Sequence, residues 1–384
     1  MKRNEAARAR WIRRLWITLS ACIGALAACG GGVGTGGTGA FASGSVDGFG
    51  SIIVNDVVYD DSLARIEDDT GSGRARSDLG LGTVVEVDSD AVRNDAATAS
   101  RVRITSERIG RVDAVAADSI TVNGLPVRSN SGTAFDGSFG AGVTVGALVE
   151  VHGFTTATPG EVLATRIEPR STATEFKFRA HISSLDTQAR TFQIGNQTFA
   201  YALGVSGRDL LANGAFLRVW VSPTRDLQGR WVATGIARGQ VTPPDNMDVK
   251  TNGLITLFAS TASFQVGPWS VNAAGATIQN GPLALGQRVK IGGRVQGGVL
   301  VAADVRVLGP SELQMTGTIA TVDTVARTFE FSGRRDRVSF ARSDIVFENG
   351  SVASLVTGAR VRAFGRLSAD GTLLEATRIR ILDN

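Results

Sequence analysis

Histidine and cysteine, the residue types most often used as catalytic bases, nucleophiles and zinc ligands, are rare in this chain. It has two histidines, His152 and His181, and two cysteines, Cys22 and Cys29. A serine triad would have to draw on these histidines, and no serine lies in a G-x-S-x-G or S-x-x-K pattern. Neither histidine has a second ligand at zinc-finger spacing. The sequence therefore predicts no enzyme, no cofactor and no metal ion, with both histidines as ordinary strand residues.

Acidic residues form the next candidate group. Asp60, Asp61, Glu67, Asp68 and Asp69 lie close together along the chain. Carboxylate oxygens bind Ca²⁺, but this run lacks the D-x-[DN]-x-[DN]-G register of a calcium loop. A solvated loop is the preferred interpretation, and a Ca²⁺ site is the alternative.

Two tryptophans and three arginines could form binding surfaces. Trp220 and Trp231 flank a turn and could meet across a hairpin, as a core contact or as a platform on which a sugar or base stacks. Arg101, Arg166 and Arg378 occupy equivalent positions among apolar neighbours. We expect these arginines to face solvent or to pair with acidic residues of an adjacent strand; an anion-binding groove is the alternative.

Residues 1–28 have the composition of a signal peptide. Six basic residues against one acidic residue precede the apolar stretch 15–26. At about 1.5 Å per residue this stretch is too short to cross a hydrocarbon core of about 30 Å, so a cleaved signal is favoured over a membrane span. Its removal brings the net charge from +4 to near neutral. A near-neutral chain lacks the basic bias of a nucleic-acid binder.

The end of this signal carries a resemblance. Leu26-Ala27-Ala28-Cys29-Gly30 resembles the lipobox of bacterial lipoproteins. The resemblance implies cleavage before Cys29 and lipid attachment to it, with palmitate among the acyl chains, and two or more such chains anchor a protein stably in a membrane. Gly30 in place of Asp implies the outer membrane of a Gram-negative-type bacterium, facing the periplasm or the cell surface. Since Cys22 leaves with the signal, no disulfide is expected.

A fivefold repeat occupies the rest of the chain. After a glycine-rich tether at 29–43, copies of one pattern lie at 44–105, 107–170, 175–239, 247–308 and 312–382. Within a copy, as in Thr328-Phe329-Glu330-Phe331, apolar and polar residues alternate with the period of a β-strand. Asn-Gly and Asp-Gly pairs between such runs are typical of hairpins.

The fold class predicted from these repeats is all-β. We expect a tandem array of about five small antiparallel β-barrels, OB-like (oligonucleotide/oligosaccharide-binding) or SH3-like, because closure of each barrel hides its strand edges. A continuous sandwich and a short propeller are the alternatives.

The repeat motif also resembles a known family. G-x-[IV]-x-x-[VL]-D, followed later by G-x-[LV]-x-A-[ST]-R-[IV], is similar to the bacterial repeat catalogued as domain of unknown function 5666, over nearly all of 44–382. The resemblance implies an envelope lipoprotein with tandem copies and no established activity. Repeats three and four depart from the motif, because Gly235 and Asp304 stand in place of its arginine.

The function expected from the sequence is therefore non-enzymatic. A cell-envelope lipoprotein that acts as a scaffold, spacer or adhesin fits tandem copies without catalytic residues. Its expected partners are the membrane, through the lipid anchor, and an envelope protein or glycan. The alternative is a binding module for a glycan, a nucleic acid or Ca²⁺ in one or two specialised repeats.

Overall fold

The computed structural model describes residues 39–48, 51–136, 142–308, 313–332, 337–368 and 372–382. The expected signal peptide, the lipid attachment site at Cys29 and most of the tether lie outside these residues. Within them the chain is all-β, as predicted, with three short 3-10 helices at Arg76–Asp78, Arg208–Leu210 and Val352–Ser354. No helix in this part of the chain is long and apolar enough to cross a lipid bilayer.

The strands fall into consecutive groups, one for each repeat. Repeat 1 contains β1 (Ala40–Gly48), β2 (Ile52–Val54), β3 (Val57–Asp60), β4 (Arg65–Asp68), β5 (Val84–Ser89) and β6 (Ala96–Ile104). Repeat 2 contains β7 (Arg108–Val115), β8 (Ser119–Val122), β9 (Leu125–Arg128), β10 (Ala134–Phe135), β11 (Leu148–Thr155) and β12 (Val162–Pro169). Repeat 3 contains β13 (Phe176–His181), β14 (Ser183–Asp186), β15 (Thr191–Ile194), β16 (Gln197–Ser206), β17 (Phe216–Val221) and β18 (Trp231–Arg238).

The last two repeats follow the same plan. Repeat 4 contains β19 (Asp248–Ser260), β20 (Ser263–Val266), β21 (Trp269–Asn272), β22 (Thr277–Gln279), β23 (Arg288–Gln296) and β24 (Val299–Val307). Repeat 5 contains β25 (Leu313–Asp323), β26 (Thr328–Phe331), β27 (Arg337–Ser339), β28 (Val346–Glu348), β29 (Arg360–Leu367) and β30 (Leu373–Ile381).

Each repeat closes into a five-stranded barrel. In repeat 2, β7 pairs with β8, β8 with β9, β9 in parallel with β12, β12 with β11, and β11 again with β7. The short β10 adds in parallel to β12. Repeats 1, 4 and 5 have the same order, and in repeat 3 the first strand is divided into β13 and β14. This Greek-key order is that of the OB fold, which confirms the predicted barrel class.

The alternation in the sequence produces the barrel interiors. In β26, Phe329 and Phe331 are buried in the core while Thr328 and Glu330 face outward. The turns obey local chemistry as well: Asn123 and the following glycine both have positive φ, which the tight hairpin between β8 and β9 requires.

The repeats contact one another through their first strands. β1 pairs in parallel with β19, from Ala40 opposite Asp248 to Ser43 opposite Thr251. β7 pairs with β13, and the buried apolar residues of repeats 1 and 5 form one continuous cluster. Residues 40–43, assigned above to the tether, are therefore strand residues; the glycine-rich composition concealed that Phe41 inserts into the core of repeat 4.

Candidate functional site

Apolar side chains fill the barrel interiors, so the buried polar and ionisable side chains considered below lie between barrels. Ionisable side chains that are buried or nearly buried concentrate where repeat 1 meets repeats 2 and 3. We refer to this set as the charged junction: Asp69, Glu86, Glu107, Glu150, His152, Arg166, Glu168, Lys177, Arg179 and Arg218.

Asp69 joins repeat 1 to repeat 3. It follows β4 in the acidic loop, and its side chain is 4% exposed. Lys177 Nζ lies 2.6 Å from Asp69 Oδ2, and Arg218 Nε lies 3.5 Å from the same oxygen. Burial acts to raise the pKa of Asp69, but the two cations outweigh burial and hold the pKa below its ordinary value. The carboxylate is therefore ionised at neutral pH.

The strand register of repeat 3 places both cations on one outer face. Lys177 lies opposite Trp220 on the paired strand, and Arg218 lies opposite Arg179. Because neighbouring residues such as Phe178 and Val219 point into the barrel core, these cations point out of it, toward repeat 1.

Glu86 of β5 extends the ion pairs into repeat 1. Its Oε1 accepts a hydrogen bond of 3.2 Å from Arg218 Nη2, and its Oε2 accepts one of 2.9 Å from Arg103 Nη1. Arg218 thus lies between two carboxylates of repeat 1. Removal of any one member would leave an opposite charge buried without its full complement.

The segment between repeats 1 and 2 is itself buried. Thr105, Ser106, Glu107 and Arg108 are each at most 1% exposed. Glu107 pairs with Arg179 of repeat 3, whereas burial lowers the pKa of Arg108 to about 10 against the opposing effect of Glu107. A connection between domains is usually exposed and mobile, so this one belongs to the junction and not to a linker.

Three residues of repeat 2 could hold a metal ion. Glu150 and Glu168 lie opposite each other on β11 and β12, and His152 lies two residues after Glu150 on the same face. One ligand atom from each residue lies within 4.8 Å of those of the other two. Burial acts to raise the pKa of Glu168, but the protonated His152 ring and the Arg166 guanidinium lower it to about 2.

The acidic loop differs from its sequence-based interpretation as a solvated loop. Asp61, Glu67 and the side chain of Asp69 are buried. Asp61 pairs with Arg76, and Glu67 pairs with Arg65 at 2.8 Å. The solvated-loop interpretation is wrong for these three carboxylates, because cations brought by the fold are their partners.

The two tryptophans of repeat 3 do not form a platform. Trp231 is 4% exposed and packs against Phe176 and Phe178 in the barrel core. Trp220 lies on the outer face opposite Gly235. Residues directly opposite each other on paired strands share a face. A bulge next to Trp220 shifts the pairing of β17 and β18 by one residue, so Trp231 faces the core while Trp220 faces outward.

The three equivalent arginines pair with acids. For Arg101 and Arg378 the acid is on an adjacent strand, as expected, whereas Glu168 is on the same strand as Arg166. Arg101 lies 3.6 Å from a Glu67 oxygen, and Arg378 Nη1 lies 3.2 Å from Glu348 Oε1. Arg166 Nε lies 2.9 Å from Glu168 Oε2, and this arginine is 6% exposed, so it belongs to the interface between repeats and faces little solvent.

A cleft of about 650 Å³ lies between repeats 1 and 4. Polar groups from both repeats line it: Asp95 faces Lys250 at 3.7 Å, and Asp248 faces Arg294 at 2.6 Å. Its size is within the range of small-molecule sites.

Comparison with known proteins identifies the repeated unit. Residues 109–168 and 252–306, in repeats 2 and 4, match the family described as Domain of unknown function (DUF5666). The predicted resemblance is confirmed for these two repeats, and the chain is a tandem-repeat protein that carries this domain. No curated protein matches the sequence.

A similarity to a solved structure was also found. The structure named drosophila Unr CSD456 is 12% identical, covers 55% of this chain and 98% of its own, and superimposes with a TM-score of 0.14.

Sequence reasoning missed the Glu150, His152 and Glu168 group. The available signal was the spacing of Glu150 and His152, since residues two apart on a strand share a face. Glu168 joins them only through the hairpin register of β11 and β12.

Proposed function

We propose that this chain is a non-enzymatic lipoprotein of the cell envelope that serves as a structural scaffold, anchored to the outer membrane through Cys29. The charged junction carries the scaffold part of the proposal, and the lipobox resemblance at Cys29 motivates the membrane anchor. The ion pairs of the junction join residues of different repeats and are largely withdrawn from water, so the barrels are fixed relative to one another.

The proposal also accounts for where exposed apolar groups lie. Leu227 and Val325 occupy turns and are 101% and 94% exposed. Single exposed apolar residues are common on protein surfaces, but turn tips held by a fixed body suit multivalent contact with an envelope partner.

Two related turns allow a matched test. Asp186 to Thr191 and Asp323 to Thr328 differ only in that Gln188 stands where Val325 does. The opening aspartate accepts backbone hydrogen bonds in both turns. A photocrosslinking residue placed at either position therefore samples the same turn geometry, and the two positions differ only in the surroundings that repeats 3 and 5 provide.

The experiment expresses the full chain in a Gram-negative host, crosslinks intact cells and identifies products by mass spectrometry. We expect outer-membrane fractionation and a discrete envelope-protein product from position 325 that is weaker from position 188. Cys29→Ser should release the protein from the membrane. Retention of this variant, or equal and diffuse crosslinking from both positions, would contradict the proposal.

The cleft between repeats 1 and 4 favours a second candidate, a binding function for a small polar ligand. A thermal-shift panel of glycans, oligonucleotides and Ca²⁺ tests it. Stabilisation that is lost in Lys250→Met would support binding in the cleft, and no shift with any compound would count against it.

A further inference from the structure

The His152 ring is fixed in one orientation by the backbone. Its Nδ1 lies 3.0 Å from the carbonyl oxygen of Thr105 and 3.4 Å from the backbone nitrogen of Val84. The Thr105 carbonyl oxygen only accepts hydrogen bonds, whereas the Val84 N–H would need Nδ1 as its acceptor. The contact with Thr105 is the shorter by 0.4 Å, and we assign the Nδ1 proton on it. When the ring is neutral, its lone pair is then on Nε2.

That lone pair points at buried carboxylates. Nε2 has no hydrogen-bond partner among the residues described by the structure, and the histidine is 0% exposed. Its distance to Glu168 Oε1 is 3.7 Å, too long for a hydrogen bond. A lone pair that faces an anionic oxygen away from water is repulsive unless a cation lies between them.

The glutamates are held in the way that metal-bound carboxylates are. Glu150 Oε2 accepts a hydrogen bond of 2.6 Å from Arg170, and Glu168 Oε2 accepts one of 2.9 Å from Arg166. The second oxygen of Glu168, Oε1, faces His152 Nε2, and one ligand atom from each of the three residues lies within 4.8 Å of the other two. Hydrogen bonds to the outer oxygen of a carboxylate, and from the distal ring nitrogen of a histidine to a backbone carbonyl, are the usual outer contacts of a metal site.

We propose that Glu150, His152 and Glu168 bind one divalent transition-metal ion, with Zn²⁺ as the ion that this ligand set suits. One imidazole nitrogen and two carboxylate oxygens are ordinary zinc ligands, and water completes a tetrahedral site of this kind. An imidazole ligand distinguishes the site from those of Ca²⁺ and Mg²⁺, which take oxygen. All three ligands belong to repeat 2. The site contacts repeat 1 through His152, whose Nδ1 lies 3.0 Å from the carbonyl oxygen of Thr105, the last residue of repeat 1.

The neighbouring arginines reduce the affinity expected for Zn²⁺. Arg166 and Arg170 reduce the negative potential at the carboxylates, so we expect binding that needs a modest excess of free metal. Binding requires the neutral imidazole and the ionised carboxylates, and therefore weakens in acid.

The test uses the full-length, detergent-solubilised protein after treatment with EDTA. It is dialysed to equilibrium against buffered free Zn²⁺, and the metal on both sides of the membrane is measured by mass spectrometry. Co²⁺ absorption serves as a spectroscopic probe of nitrogen and oxygen ligation. We expect one equivalent of Zn²⁺ and a rise in the melting temperature. His152→Gln should lower the affinity at least tenfold and abolish the rise.

His181→Gln is the matched control. His181 is half-buried against the Phe216 ring, 4.8 Å between centroids, in a different barrel, so this variant should bind Zn²⁺ as the parent does. Glu168→Gln, at a partly exposed position, replaces His152→Gln if the latter fails to fold. Absence of bound Zn²⁺ in the parent, equal loss in both histidine variants, or preference for Ca²⁺ over Zn²⁺ would overturn the proposal.

Discussion

Replacement of Asp69 by asparagine tests whether the charged junction stabilises the protein. Asparagine keeps the shape of the side chain but removes the charge that faces Lys177 and Arg218. Lys177 is 2% exposed and Arg218 is 6% exposed, so neither recovers much hydration. Loss of one partner from a buried ion pair costs about 3–5 kcal/mol.

The cost should fall at the lower end of that range, because only one of the two cations loses its sole close carboxylate. Arg218 retains Glu86 at 3.2 Å, whereas Lys177 loses the carboxylate that lies 2.6 Å from its Nζ. We therefore expect a destabilisation of about 3 kcal/mol from Asp69→Asn. The double variant with Lys177→Met should recover part of this loss, because it removes the stranded cation.

The assay is guanidinium unfolding followed by tryptophan fluorescence. Trp231 lies in the core of repeat 3, the repeat that carries both cations, and is 4% exposed. Asp344→Asn is the control, since Asp344 pairs with Arg342 at 2.7 Å in an exposed position, and little change is expected there. Equal stability of the Asp69 and Asp344 variants would refute the reasoning.

Three further predictions concern the same interfaces. Gly82→Ala should destabilise by about 2 kcal/mol more than Gly71→Ala, measured by denaturation: both glycines have positive φ, but only at Gly82 would a Cβ meet a neighbour, the backbone oxygen of Thr165, at 2.2 Å. Phe41→Ala should cost about 3–5 kcal/mol and loosen repeat 4, seen as faster amide exchange in β19 to β24. Because the folded pKa of Asp69 is depressed, its contribution should be complete above the unfolded value near 3.8 and be lost as pH falls through the folded pKa; an acid titration of the parent should therefore be steeper than that of Asp69→Asn.

The strands and their inward faces were predictable from the sequence. Alternation in β26 correctly places Phe329 and Phe331 inside. The aspartates that open the two related turns, Asp186 and Asp323, accept backbone hydrogen bonds from residues two and three positions later, a local pattern typical of aspartate in turns. Such features depend on residues within a few positions of each other, and one sequence contains that information.

What covers the outward faces was not predictable. Lys177 and Arg218 alternate with core residues, the period-two pattern of strand residues that face solvent, yet contact with repeat 1 buries them. Glu86, the partner of Arg218, is 132 positions away. Alternation defines which side chains leave a barrel, but the docking of two barrels depends on the complementarity of their whole surfaces.

The group of Glu150, His152 and Glu168 was not predictable for the same reason. Glu150 and His152 are neighbours on one strand, but the orphaned Nε2 of His152 follows from a contact with Thr105, 47 positions earlier in the chain. No spacing rule for metal ligands includes a backbone carbonyl of the preceding repeat. The histidine therefore resembled an ordinary strand residue.

The pairing of β1 with β19 determines when, during synthesis, the first barrel can complete its contacts. Asn55 of repeat 1 donates a hydrogen bond to the Lys250 carbonyl, 195 positions later, so the first barrel lacks this one of its neighbours until the fourth has emerged. Long-range pairing of this kind slows folding and leaves apolar edges open to aggregation. In a solenoid, evolution can add or delete repeats because each contacts only its neighbours. Here the loss of one repeat would remove a partner from a distant one, so the number of repeats is constrained by the fold.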